Sequence, residues 1–463
     1  MAYCLKCGKK TTSSDFYCSD CQLRSAEELE QEMEHSGGSR LSGFTRSFSR
    51  FLAPGKRKIL IVLFAAIMLV PGLIVILVLT SAFAPHSSQE EGTGDACSIV
   101  VPQDYENIQE AIDAASPGDI ILVQPGVYQE NIDFQGKELV LQSSDPGDDD
   151  VVASTVIEGG DGGPAVTFQR GENEETVIHG FTITGKSGAA VVYQDLYGDR
   201  EQGVEGCGGG GILVQGDSSP VIVGNVITGI DLTCGFCGKS SAGAGVFIRQ
   251  AAPQLINNTF TGNSAHRGGA IYIFDASPLL SGNIVSGNSA SWEGGGIYMF
   301  GETSATLEGN QIIENKAEKG GGIFLSGTSA YIRYNEISGN QAVFTGGGLF
   351  IRQSEQATVS GNLFQQNQGG ECGGGLALEE ASPRVAGNTF QENDAGWRGG
   401  GGAYIFLRSN PRMINNTWTG NTAGEGSAAW VSNDSSPDFA TVELEDDSKL
   451  EDGPNRDEFF FQQ

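Results

Sequence analysis

The chain opens on "CLKCGKKTTSSDFYCSDC", in which Cys4/Cys7 and Cys18/Cys21 form two Cys-x-x-Cys pairs separated by ten residues. Each pair presents two thiolates from one tight turn, and two such turns make a tetrahedral Zn2+ site. With all four positions filled by protein, the metal is structural rather than catalytic. Two disulfides are the alternative, which a reducing cytosol disfavours. Five further cysteines follow much later: Cys97, Cys207, Cys234, Cys237 and Cys372. Cys234 and Cys237 sit in an insertion, and Cys207 occupies a corner one repeat earlier, so Cys207 is expected to bridge to one of them as a staple. Redox chemistry by that Cys-x-x-Cys lacks a surrounding βαβ context. Cys372 lies too many repeats away to join the group, so one or more thiols should stay free or pair between chains.

Other reactive types are scattered. Only His179 and His266 fall within the repeats, and His179, in "VIHGFTI", is expected to face solvent from a strand rather than act as a base. Asp275, Glu308 and Glu379 occur singly at separate repeat positions, as solvated faces do. The run Asp145–Asp150, "DPGDDD", reads as a hydrated acidic loop; Ca2+ held through its side-chain oxygens is the alternative, with nothing else to support it.

The elements that must carry these residues divide at the most hydrophobic stretch. Residues 59–83 hold no charge, and as a helix they would reach roughly 37 Å, enough to cross a bilayer. Pro71-Gly72 is expected to kink this transmembrane helix. A cleaved signal peptide is the rival, since Ala82-Phe83-Ala84 has the small-x-small form, but the run is too long and a cysteine-bearing segment precedes it. Arg46, Arg50, Lys56, Arg57 and Lys58 crowd its N-terminal side, which places the N-terminus in the cytoplasm and the large domain in the periplasm or at the cell surface. Residues 1–58 carry 10 Lys+Arg against 7 Asp+Glu; the remainder carries 17 against 50. So acidic a surface excludes nucleic acid and anionic lipid as partners of the large domain.

From about residue 200 the chain repeats. Asn225, Asn258, Asn283, Asn310, Asn335, Asn362, Asn388 and Asn416 recur at steps of 25 to 33, and a second Asn stands five residues after each of the last seven. A period near 26 has room for three short strands and three turns per coil, stacked in parallel: an all-β, parallel β-helix solenoid. Gly supplies positive φ at one corner, and Asn is expected to take left-handed geometry at another and to form amide ladders between coils. A helical-repeat solenoid is the competing architecture, against which Gly density and period-2 strands argue. Upstream, Ile108, Ala111, Ile112 and Ala115 share one face of a helix that caps the stack.

The phrase "GGAIYIF" returns as "GGGIYMF", "GGGIFLS", "GGGLFIR", "GGGLALE" and "GGGAYIF". Within it aliphatic residues such as Ile271 and Ile273 alternate inward, and the residue between points outward. That outward column reads Leu213, Phe247, Tyr272, Tyr298, Phe324, Phe350, Ala377, Tyr404, Trp430. Phe274, Phe300 and Phe406 extend it. Two readings stand open. The rings stack on one another for register, under a covering loop in one variant. Or Phe247, Tyr272, Tyr298, Phe324, Phe350, Tyr404 and Trp430 form an exposed track for sugar rings or a partner protein, with Arg249, Arg352 and Glu379 as neighbouring hydrogen bonders.

The first 24 residues, with Gly8 after the second Cys and Phe16-Tyr17 before the third, resemble the zinc-ribbon heads of bacterial membrane proteins. The stretches "IQEAIDAASPGD", "VQPGVYQENI" and "VIHGFTITG" resemble the right-handed β-helix proteins related to pectinesterases and pectate lyases. The "GGAI" phrase with Phe260-x-x-Asn263, Phe364-x-x-Asn367 and Phe390-x-x-Asn393 resembles the repeats of chlamydial polymorphic outer-membrane proteins. These resemblances imply a right-handed handedness and specify fold better than function. The enzymes among them imply paired carboxylates or an Arg/Lys base beside calcium, yet the chain has no counterpart to the polygalacturonase Gly-His-Gly and no match to the pectinesterase Gln/Asp/Arg set.

The expected organisation is therefore a zinc ribbon (1–24), an acidic then basic juxtamembrane linker (25–58), a transmembrane helix (59–83), a linker (84–96), a capped β-helix (97–440) and an acidic tail (441–463). The expected role is a membrane-anchored binding or adhesion module of the bacterial envelope, with glycan or a surface protein as ligand. A polysaccharide lyase or hydrolase with an unrecognised site is the alternative, and a structural spacer the third. The partner of the zinc head is not legible.

Overall fold

In the computed structural model, the described residues are 2–3, 10–11, 98–193, 204–233, 241–440, 443–444 and 450–452. The chain divides into two compact units, Met1–Asp95 and Ala96–Gln463. In the first, Ala2–Tyr3 pairs antiparallel with Lys10–Thr11. The zinc ligands Cys4, Cys7, Cys18 and Cys21, both linkers and the apolar run 59–83 lie outside the described residues, as do Cys97, Cys234 and Cys237. Among the described residues, no helix is long and apolar enough to cross a membrane.

The second unit is a parallel β-helix. One coil shows the plan: Gln254–Ile256, Thr259–Thr261, Ser264–Arg267 and Ile271–Phe274 follow one another before Leu279–Ser281 begins the next coil. Strands stack in register from coil to coil, Leu255 on Leu280 and Leu280 on Leu307, and all three are sealed from water. A first sheet of 13 strands contains Gln254–Ile256, and a second of 12 contains Thr259–Thr261. A third, also of 12, contains Ile271–Phe274, and an outer sheet of nine contains Ser264–Arg267. Alternation of apolar and polar residues sends Leu255, Phe260 and Ile271 into one continuous core between the first three sheets.

Four strands per coil, not the expected three, is the first correction. The chain fits the extra strand because the glycine phrase folds it back within three residues. Gly268 holds φ of 59°, and a Cβ at Gly269 would overlap the carbonyl oxygens of Gly295 and Ser289. Only glycine allows two backbones to lie so close.

Two amide ladders hold the corners on either side of the second sheet. Asn310 is representative: its Nδ2 donates to Leu280 O at 2.9 Å and to Asn335 Oδ1 at 2.9 Å, while its own Oδ1 accepts from Asn283 N and Asn283 Nδ2, both at 2.9 Å. The ladder expectation holds. The left-handed expectation moves by one residue: positive φ falls on Asn257, Glu314, Tyr334 and Gln366, each immediately before a ladder Asn. That twist turns the next side chain inward, where its amide meets its neighbours.

The N-terminal end is covered by a helix α1, Ile108–Ala114, burying Ile108, Ala111 and Ile112. Its free N–H groups meet the Glu130 carboxylate, at 2.9 Å from Ile108 N and 2.8 Å from Gln109 N. Its last carbonyls meet Lys137 Nζ, which donates to Ile112 O at 2.7 Å and Ala115 O at 3.0 Å. The acidic run is corrected in part. Asp149–Ser154 is helix α2, and Asp148 caps it by accepting from Asp150 N at 2.9 Å. Residues 145–148 form the expected exposed acidic turn, and only Asp149 and Asp150 enter the first helical turn, where acidic side chains suit the helix dipole. Among the described residues, no three His, Cys, Asp or Glu side chains converge to hold a metal ion.

Candidate functional site on the outer sheet

The residues of the outward aromatic column are not on the surface. Phe247 and Phe324 have no exposed area, Tyr272, Tyr298 and Phe350 about none, and Tyr404 is 9% exposed. Their rings stack from coil to coil: Phe247 on Tyr272 at 5.1 Å, Tyr298 on Phe324 at 5.2 Å, Phe324 on Phe350 at 5.1 Å, all within 10° of parallel. Ala242 and Cys372, from the outer sheet, join them in a second hydrophobic cluster. The column does point outward from the third sheet, but the outer sheet lies over it. The exposed-track reading is thus overturned for Phe247, Tyr272, Tyr298, Phe324, Phe350 and Tyr404, because rings sealed between two sheets present no face to a ligand. The cover is a sheet, where the alternative anticipated a loop. Trp430, in the last coil but one among the described residues, is only partly buried; its ring stacks on Tyr404 at 4.6 Å and its Nε1 donates to Glu425 at 3.2 Å. Arg249, Arg352 and Glu379 are half-buried beside the layer, Arg352 lying 3.8 Å from Glu379.

The inward column of the outer sheet is charged. Arg267, Glu293, Lys319, Thr345 and Cys372 occupy successive coils in register. Arg267 Nε lies 3.2 Å from Glu293 Oε2, and the two side chains are 3% and 0% exposed. The Arg267 guanidinium also lies 4.6 Å from the Trp292 ring centre, a favourable cation–π distance. Burial raises the Glu293 carboxyl above its ordinary value, against the pull of Arg267, Lys319 and Arg352. Burial likewise pushes the Cys372 thiol up to about 11 and the Tyr404 phenol up to about 12. Cys372 is a free thiol. Cys207 is disulfide-bonded, to a cysteine outside the described residues.

The isolated polar candidates prove structural. Glu308 receives Arg333 Nη2 at 2.9 Å, and Asp275 accepts from Glu302 N at 2.9 Å. His179 is partly buried on its strand, where burial pushes its imidazole down to about 4. It is therefore neutral at physiological pH and less exposed than expected.

What lies open instead is the outside of the outer sheet. Trp397 is 70% exposed, Val343 62% and Phe344 38%; two coils before Phe344, the half-buried Trp292 lies against His266, ring centres 5.2 Å apart. Arg398 stacks 4.8 Å over Trp397 and pairs with Glu371 at 3.2 Å. The column-by-column reading of the glycine phrase missed this surface because the residues precede the glycines. Their signal is the lengthening of Ser264–Arg267 to Ser289–Glu293 and Gln341–Thr345, where one extra residue enters as a bulge.

The coil geometry agrees with the sequence profile of the right handed beta helix region, which matches residues 200–345 and 291–443, more than half of the chain. The chain belongs to the right-handed β-helix family. No curated protein matches it in sequence. Among solved β-helix structures, a variant of a periplasmic alginate epimerase is 16% identical over 75% of this chain and 84% of that chain, with TM-score 0.36. The surface protein and adhesin PfbA of Streptococcus pneumoniae is 11% identical over 77% and 99%, with TM-score 0.33. The receptor-binding domain of the Siphovirus 9NA tailspike is 11% identical over 79% and 79%, with TM-score 0.21. At these scores the likenesses carry no functional argument for this β-helix.

Proposed function

We propose that this β-helix is a non-catalytic binding or adhesion module for glycan, displayed from a bacterial membrane by the apolar run 59–83. The observation that carries the reading is the presence of aromatic side chains on the outer sheet, the exposed Phe344 and Trp397 together with the half-buried Trp292. Isolated apolar side chains on a surface need no explanation, but several aromatic ones on one rigid sheet mark a recognition face. The ion pairs Glu308–Arg333, Glu371–Arg398 and Glu380–Arg408 support a binding rather than a catalytic surface, since each carboxylate is already held by a guanidinium. The charge step across residues 59–83 supports the orientation, N-terminus inside. In the small head, Cys4, Cys7, Cys18 and Cys21 would hold one structural zinc, a reading supported by the Cys-x-x-Cys spacing and by the Ala2–Tyr3/Lys10–Thr11 pairing that brackets the first pair.

The experiment is binding of the full-length protein, in mild detergent, to a panel of glycans and cell-wall polysaccharides, with product release followed in parallel. Saturable binding without product supports the module. Bond cleavage, or no ligand in the panel, rejects it in favour of the enzyme or the spacer.

A further inference from the structure

At the corner between the second sheet and the outer sheet, the residue before each ladder Asn has a left-handed backbone. Gly287 and Gly339 hold φ of 62° and 63° there without strain, whereas Glu314, Gln366 and Glu392, at 57°, 53° and 53°, hold it while carrying a side chain. Two of these three side chains have each other: Gln366 Nε2 donates to Glu392 Oε2 at 2.8 Å. Glu314 has no such partner. Exposed between the bare Gly287 and Gly339 of the neighbouring coils, its carboxylate makes no hydrogen bond or ion pair among the described residues. The same holds for the Lys316 ammonium, exposed between its register partners Ser289 and Gln341. The two opposite charges lie two residues apart without pairing, because the chain turns inward through the buried Asn315 between them.

A cleft of about 480 Å3 opens over these three coils, with Glu314 and Lys316 from the middle coil and Ser289 and Gln341 from the coils on either side among its walls. The glycines keep it open. A Cβ at Gly287 would meet nothing within 4 Å, and one at Gly339 would meet only Glu314, 3.6 Å from its Cγ.

We propose that this cleft binds a free amino acid in its zwitterionic form, with the ligand's ammonium on the Glu314 carboxylate and its carboxylate on the Lys316 ammonium. The proposal does not rest on the glycan reading. On a chain of net charge -30, a simple anion is repelled and a simple cation is drawn to many carboxylates at once. A zwitterion has no net charge, so only a place that holds both signs at short range selects it. Both contacts are charge-assisted hydrogen bonds, the stronger kind. The Gln341 amide and the Ser289 hydroxyl supply further donors for the second carboxylate oxygen. Glu314 only accepts hydrogen bonds, so the ligand's nitrogen must carry protons. Quaternary ammonium zwitterions are therefore excluded, and no aromatic ring lines the cleft to hold one by its face. The cleft is open to water and meets the two charged groups, so the ligand's own side chain is left largely unread.

The test is calorimetric titration of the full-length protein, in mild detergent, with glycine, L-alanine and L-glutamine. Propionate, ethylamine and glycine betaine run alongside, each lacking one of the two charged hydrogen-bonding groups. The three amino acids should bind saturably with similar affinity, and each control at least about tenfold more weakly. Glu314→Gln and Lys316→Met should each weaken alanine about tenfold. Both positions are exposed, and an unchanged melting temperature confirms that the variants are folded. No saturable binding at millimolar amino acid would overturn the proposal. So would propionate, ethylamine or betaine binding as tightly as alanine, which reduces the cleft to a simple ion contact, and so would variants that bind as well as wild type. None of these outcomes bears on glycan binding, which its own panel tests.

Discussion

Arg267 and Glu293 face each other in adjacent coils, Nε to Oε2 at 3.2 Å, inside a layer from which water is excluded. A buried ion pair is a weak source of stability, because desolvating two charges cancels much of their attraction. Glu293 Oε1 makes no hydrogen bond, which adds to that cost. Replacing the pair together, Arg267→Met with Glu293→Leu, is therefore expected to leave the melting temperature equal or higher. A loss of more than about 2 kcal/mol in urea unfolding would show that the pair holds the layer together.

The raised Glu293 carboxyl gives a pH signature of its own. A carboxyl whose folded pKa exceeds its unfolded value binds protons more tightly when folded, so its contribution favours folding at low pH. That contribution is lost as pH rises from the ordinary value of 4.5 through the raised one. The variant Glu293→Gln cannot titrate. Its stability relative to wild type should improve as pH rises through that window, read as the difference in urea midpoint at several pH values; a constant difference would sink the assignment.

The amide ladder predicts a sharp position effect. Asn310→Ala strands Asn283 N, Asn283 Nδ2 and Leu280 O at once in a dry corner, which should cost about 3 kcal/mol or more. At the same corner two coils earlier, Asn257 holds φ of 52°, and Asn257→Gly should stay within about 1 kcal/mol of wild type. Equal effects at the two positions would mean that the ladder does not carry the corner.

Much of this was legible in the sequence, and the part that was not has a physical cause. The period near 26 and the inward Ile271/Ile273 alternation follow from coil length and strand pleat, so the solenoid and its core can be read directly. Ile108, Ala111 and Ile112 likewise announce the capping helix. Whether an outward column meets water depends on what packs over it, and no periodicity within the column reports that. The cover is made of short, bulged strands such as Ser289–Glu293, whose alternation breaks at the bulge. The clue was the glycine phrase itself, since a run of three glycines in most coils marks a close approach of backbones rather than a turn in open solvent.

Removing one ring tests the layer as packing. Phe324 is fully buried between Tyr298 and Phe350, so Phe324→Ala should cost about 3–5 kcal/mol in unfolding. Glycan binding by any protein that remains folded should be unchanged, since the ring is sealed beneath the outer sheet. A stable variant that loses its ligand would return the site to the buried column.

Cys372 reports whether the outer sheet stays shut. Its thiol is 3% exposed, sits 3.3 Å from Thr345 Oγ1, and is pushed up to about 11 by burial. Alkylation requires thiolate and access, and at pH 8 only about one thiol in a thousand with such a pKa is ionised. Iodoacetamide should therefore leave Cys372 unmodified in the native protein and modify it fully in urea, as read by mass spectrometry of the peptide that contains it. Intermediate denaturant adds a finer reading. If the outer sheet peels away before the three-sided core melts, Cys372 becomes reactive at a lower urea concentration than that at which strand signal is lost, because a local opening exposes it while the core persists. Coincident transitions mean that the aromatic layer welds the two into one cooperative unit, and rapid labelling without denaturant would show that the layer is not sealed at all.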